Sequence, residues 1–179
     1  MIEIRALREG DDRAQFQSGD PDLDRFFHKF AGQNQFRHYV GVTYVAVEDR
    51  RVIGFATVAP GHVEIDGLPS AARRKLPRYP LPVLRLARLA VGRSPRGEGL
   101  GAQLLRFVLE LALRMANDYG CVGVIVDAKP DAVDFHGKYG FVPVEAIEGQ
   151  AAARPQQIPM FLSTRAIKEA SSARDGEGT

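Results

Sequence analysis

Residues 88–101 read RLAVGRSPRGEGLG, an apolar strand running into a glycine-rich turn. Directly after Gly101, the residues Leu104, Leu105, Val108, Leu111, Ala112 and Met115 recur at spacings of three and four, which predicts a long helix with one apolar face. The glycines therefore fall at a helix N-terminus. There the first N–H groups lack an intrahelical acceptor and the dipole end is positive, an arrangement that favours an anion. Glycine also serves turns that bind nothing, because it tolerates φ > 0, so the spacing and the neighbouring residues have to decide.

A mononucleotide loop ends in Gly-Lys-Ser/Thr, whereas Gly99 is followed by Leu100 and Gly101 by Ala102. A dinucleotide fingerprint spaces its glycines Gly-x-Gly-x-x-Gly, whereas Gly97, Gly99 and Gly101 alternate. A third pattern, Arg/Gln-x-x-Gly-x-Gly, is met by Arg96, Gly99 and Gly101 between strand and helix. On these residues the chain resembles the GNAT superfamily of N-acetyltransferases. The resemblance implies that Arg96, Gly97, Glu98, Gly99, Leu100 and Gly101 hold the pyrophosphate of acetyl-CoA.

Further letters carry the likeness across residues 2–164. FHGKYGF, with Phe135, Gly140 and Phe141, is similar to the family's closing helix, turn and strand. SGDPDLDRFF, LPRYPLPV and RLAV resemble the toxin-type members that acylate aminoacyl-tRNA in bacterial toxin–antitoxin pairs. In those relatives a tyrosine directly follows the phenylalanine of the closing signature and serves as general acid; this chain has His136 there. Tyr139 lies close to one helical turn further on and replaces that tyrosine only if both positions face one cleft.

By the same resemblance, the pantetheine arm lies along Leu89, Ala90 and Val91, whose backbone N–H groups polarise the thioester carbonyl as an oxyanion hole does, and Phe135 belongs to the coenzyme site. A thiol leaving group of pKa about 8.5 benefits from an acid, for which His136 and Tyr139 are the candidates. A helix-surface histidine without a role is the alternative for His136. No acidic residue stands out as a base. An α-amino group of pKa about 7.7–8.0 needs one less than a lysine at about 10.4, which favours an α-amine acceptor such as that of a charged tRNA. Basic side chains at Arg73, Arg74, Lys75 and Arg78, then Arg85 and Arg88, can neutralise phosphates, and Arg78, Arg85 and Arg88 are the candidates for binding the acceptor. His28, Lys29 and Arg37 can extend that surface. Solvated surface charge is the alternative for all of them.

The 179 residues suit one domain, and 24 Lys and Arg against 22 Asp and Glu leave a net charge of +2, too small by itself to imply a nucleic-acid binder. The lone cysteine, Cys121, heads an apolar run and reads as a buried structural thiol. Residues 1–7 alternate rather than forming a signal core, and no run approaches the roughly 20 apolar residues of a membrane span. A cytoplasmic protein that uses no metal is expected.

Strands are expected at residues 2–7, 42–47, 52–58, 84–91, 122–126, 141–144 and 160–162, with a further segment at 62–65. Helices are expected from the Asp20-Pro21 cap, from Gly101 to the Gly120 stop, and over 131–139. This order predicts an α/β fold, a mixed, mostly antiparallel sheet flanked by helices, as in GNAT-like acyltransferases. One acetyltransferase domain is expected over 1–165, and a disordered tail over 166–179. Acetyl-CoA is the expected cosubstrate. The toxin likeness implies an aminoacyl-tRNA acceptor, a protein antitoxin and a homodimer. A small amine, a peptide or a protein amino group is the alternative acceptor, and a non-catalytic coenzyme-binding module is the alternative class, suggested by the absent tyrosine.

Overall fold

The computed structural model describes residues 1–93, 99–144 and 157–177, so Arg96, Gly97 and Glu98 of the glycine turn lie outside the described residues. Seven strands are β1 (Glu3–Ala6), β2 (Val42–Glu48), β3 (Arg51–Val63), β4 (Leu81–Val91), β5 (Gly123–Ala128), β6 (Val142–Pro143) and β7 (Ile158–Ser163). They form one sheet in the order β1-β2-β3-β4-β5-β7-β6. The pairs β1–β2, β2–β3, β5–β7 and β6–β7 are antiparallel. The helices are α1 (Pro21–Lys29), α2 (Ala31–Phe36), α3 (Ser70–Arg73), α4 (Leu100–Asp118), α5 (Val133–Gly137) and α6 (Thr164–Glu177). The chain divides into two compact units, one of Met1–Ala59 with Leu86–Glu110, the other of Pro60–Arg85 with Leu111–Thr179.

In the first unit, α1 starts where the sequence places it. The Asp20 carboxylate accepts hydrogen bonds from the N–H groups of Asp22 (3.0 Å) and Leu23 (3.3 Å), and Pro21 occupies the first helical position, where its missing N–H costs nothing. The helix buries Phe26 and Phe27 against Phe16, Val45, Phe55 and Ala90, and the Phe27 and Phe55 rings stack at 4.5 Å. Asp49 and Arg50 join β2 to β3, both at positive φ (50° and 65°), a two-residue turn whose twist suits a hairpin. The separate strand expected at 62–65 is instead the end of β3. Pro60 lies beyond the last β2–β3 pair, Val42 with Val58, where a missing N–H takes nothing from that ladder.

In the second unit, Val63, Leu68, Leu81, Val83, Ile125 and Phe161 form the core. Gly123 of β5 is required by close packing: a Cβ there would meet the Phe161 ring and the Leu162 carbonyl. Cys121 is buried, its Sγ donates to the Gly123 carbonyl at 3.2 Å, and burial raises its thiol pKa, so it is structural. Gly120, at φ 106°, ends α4 as expected. The tail expected to be disordered over 166–179 is instead helical as far as Glu177, the last described residue. Ser163 Oγ accepts from the Ala166 N–H (3.1 Å), Thr164 Oγ1 donates to the Cys121 carbonyl (2.8 Å), and Ile167 is buried, so tertiary anchors start a helix that composition argues against.

Candidate active site

The donor segment belongs to the first unit. At the end of β4, Gly92 N–H donates to Ile53 O (2.8 Å) and Arg93 N–H to Gln17 O (3.0 Å), so the strand is held to the point where the turn begins. Gly99 has φ 79°, and its carbonyl accepts the Gln103 N–H at 3.0 Å, which makes it the residue that opens α4. Leu100 and Leu104 are buried, and they press on β3 where Gly54 leaves room. A Cβ at Gly54 would lie 3.0 Å from Leu104, 3.1 Å from Leu100 and 3.1 Å from the Ala90 carbonyl. The head of α4 and the backbone at Ala90 thus approach one point on β3. Ala90 is buried, and Leu89, Val91 and Gly101 are half-buried. The N–H groups of Leu100, Gly101 and Ala102 begin a 19-residue helix, where no intrahelical acceptor exists for them. An open depression of about 620 Å³ beside Arg93 is lined by Glu48 and Asp49 as well as Arg51, so it is no simple anion cradle.

The basic side chains expected to contact an acceptor have separate surroundings. Arg85 extends to Asp127 of β5, Nη1 to Oδ2 at 2.9 Å, both side chains largely buried (18% and 28% exposed). This ion pair occupies the guanidinium proposed for the acceptor. In the sequence, Asp127 is the one acid in the strand GVIVDA, a signal for such a partner. The Arg88 guanidinium lies over the Phe26 ring at 3.8 Å, in cation–π geometry. Arg78 is exposed. His28 leaves the expected basic surface, because its Nε2 is 2.7 Å from the Phe16 carbonyl.

The closing signature lies in the second unit and forms an aromatic cluster. The Phe135 ring meets His136 at 5.1 Å and Tyr139 at 5.4 Å, and His136 meets Phe141 at 5.4 Å. Gly140, at φ 92°, turns the chain, and the His136 carbonyl accepts from Tyr139 N–H (3.0 Å) and Phe141 N–H (3.3 Å). His136 is not the surface histidine considered from the sequence. It is 3% exposed, and its buried Nδ1 has no hydrogen-bond partner among the described residues. Burial disfavours the imidazolium and lowers its pKa below the ordinary 6.5. Tyr139 is half-buried on the same cluster.

Comparison with known proteins returns the same assignment. The acetyltransferase (GNAT) family model matches residues 2–141. A tRNA-acetylating toxin of Mycobacterium tuberculosis is 37% identical over 129 residues, 71% of this chain and 75% of that protein. Among solved structures, AtaT complexed with acetyl-methionyl-tRNAfMet shares 24% identity, with 95% of this chain and 99% of that chain covered and a TM-score of 0.82. A mutant AtaT toxin bound to the C-terminus of the antitoxin AtaR and acetyl-CoA shares 24% identity over 95% and 97% of the two chains, with a TM-score of 0.75. At those identities the two structures establish a common fold. The family match runs through the apolar end of β4, the glycine turn and the head of α4, and by it the chain belongs to the acetyltransferase (GNAT) family.

Proposed function

We propose that this enzyme transfers the acetyl group of acetyl-CoA directly to the α-amine of an aminoacyl-tRNA, acting in the cytoplasm as the toxin of a toxin–antitoxin pair. The observation that carries the acceptor is the 37% identity to a tRNA-acetylating toxin across 71% of the chain. The AtaT complex with AtaR supports a protein antitoxin as partner.

In this reaction the neutral amine nitrogen attacks the thioester carbonyl carbon. The C–S bond breaks, the thiolate takes a proton, and the surplus proton of the new amide leaves to solvent. An α-amine of pKa about 7.7–8.0 is partly neutral without a dedicated base. Backbone N–H groups at Leu89, Ala90 and Val91 are assigned to the carbonyl oxygen, where charge develops. The first-turn amides of α4, from Leu100 and Gly101, are assigned with Arg96, Gly97, Glu98 and Gly99 to the pyrophosphate, and Phe135 to the coenzyme arm. His136 and Tyr139 carry the exchangeable protons on the closing cluster, and Tyr139 is the better donor of the two because burial holds His136 neutral. Arg88 and Arg78 remain as acceptor contacts, while Arg85 serves through its pair with Asp127.

The test is incubation with labelled acetyl-CoA, total aminoacylated tRNA and a panel of polyamines and peptides. Label is expected on the amino group of charged tRNA. Label on a polyamine or peptide alone would move the acceptor, and coenzyme binding without thiol release from any acceptor would make the protein a non-catalytic module.

A further inference from the structure

Residues 67–97 carry eight Arg and Lys and not one Asp or Glu. Within that run Arg85 is engaged by Asp127 and Arg88 lies on Phe26. Arg73, Arg74, Lys75 and Arg78 are different: all are exposed, and none forms an ion pair among the described residues. They sit on and after α3, in a loop whose leucines are tucked away. Leu68 and Leu81 are buried in the second unit's core, and Ala72 and Leu76 pack against it. Tyr79, by contrast, is 61% exposed between Arg78 and Pro80. A loop that buries its leucines yet leaves its one aromatic ring in water presents that ring to something else. Prolines at 77 and 80 fix φ on either side of the Arg78-Tyr79 pair, which lowers the entropy lost when the ring is engaged.

We propose that this loop grips a single-stranded end of RNA, with Tyr79 stacked on an unpaired base and Arg73, Arg74, Lys75 and Arg78 against the adjoining phosphates. The inference deepens the charged-tRNA reading, and rests on it for the identity of the RNA. Cations that follow the backbone, with an aromatic face for the bases, are the means by which proteins hold single strands. A paired stem hides the faces of its bases, so the ring selects an unpaired end. An acidic peptide is held by the cations alone and gives the ring no task. Every base has a π-face, so this contact does not distinguish one tRNA from another. Selection of the amino acid or the tRNA species belongs to other residues.

The experiment measures binding of the full chain to an uncharged RNA hairpin with a four-nucleotide single-stranded 3′ tail, and to the same hairpin without it, over a range of salt. Tyr79→Ala is expected to weaken binding of the tailed hairpin by about 5- to 100-fold and to leave the blunt one unchanged, while Tyr79→Phe retains tail binding. Replacing Arg73, Arg74 and Lys75 together by Ala should weaken both RNAs and flatten the salt dependence. Thermal unfolding of each variant checks that the fold is intact. Tail binding by Tyr79→Ala equal to that of the unaltered protein overturns the proposal. So does capture of a polyglutamate peptide without either RNA, which would assign the loop to a protein partner. The RNA is uncharged and no acetyl donor is present, so the two readings fail separately. Acetylation of charged tRNA with an inert Tyr79 removes only this inference, and tail binding through Tyr79 without acetylation removes only the proposed function.

Discussion

Among Phe135 and Phe141, at 3% exposure, a protonated His136 would be shut away from water, with no partner for Nδ1 among the described residues. A neutral imidazole is a poor acid, whereas the half-buried Tyr139 keeps a phenolic O–H on the same cluster. Tyr139→Phe is therefore expected to lower kcat at least tenfold more than His136→Phe does, within the roughly 10²- to 10⁴-fold span of general acid catalysis. Steady-state turnover of the two variants checks this, and the opposite order would return the proton to His136. The sequence reads the type of these residues well and their surroundings poorly. That 136 departs from tyrosine is visible in the letters, but its burial depends on rings at 135 and 141 closing over it. Arg85 and Arg88 show the same limit. Both are basic residues on β4, yet one meets an acid 42 positions away and the other an aromatic face on α1, and beyond the lone acid in GVIVDA no local pattern points to either meeting.

Elements are legible where their ends are chemically marked. Asp20-Pro21 caps α1, Gly120 stops α4, and alternating β-branched residues mark β2 and β3. The six-residue α2 and the four-residue α3 are too short to show a period, and α6 lacks an apolar stripe, so tertiary contacts alone define them. The start of α4 is marked by Gly99, whose φ of 79° is a backbone state that glycine tolerates and other residues resist. A Cβ there meets nothing within 4 Å, so the cost of Gly99→Ala is conformational rather than steric. The variant is expected to lose about 1–2 kcal/mol of stability and, by distorting the turn, to raise KM for acetyl-CoA several-fold. Urea unfolding and donor-concentration kinetics measure the two effects, and an unchanged KM would separate the turn from coenzyme binding.

At the scale of the whole molecule, two groups tie stability to pH in the same direction. Asp11 is held below its ordinary value chiefly by hydrogen bonds from Arg5, at 2.8 Å to each oxygen, with a further bond from the Arg8 N–H. His136 is held below its ordinary value by burial. Both depressed values mean that the unfolded chain binds protons more readily than the folded one. The His136 contribution is full above about pH 6.5, and the Asp11 contribution above about pH 3.9; each is lost as pH falls from there through the folded-state value. The thermal midpoint should therefore decline in two stages on acidification. His136→Phe should flatten the upper stage and Asp11→Asn the lower, and a midpoint constant from pH 7 to 5 would contradict a neutral, buried His136.

The path of the chain through its two compact units limits how this protein can be taken apart. It leaves the first unit after Ala59, re-enters at Leu86 and departs again after Glu110, inside β3, β4 and α4 in turn. A single cut therefore liberates neither unit whole, and a truncation aimed at one half severs a strand or helix that the other half needs. Coenzyme binding and the proposed RNA contact are therefore to be tested by substitutions in the intact chain, not by dissecting it into fragments.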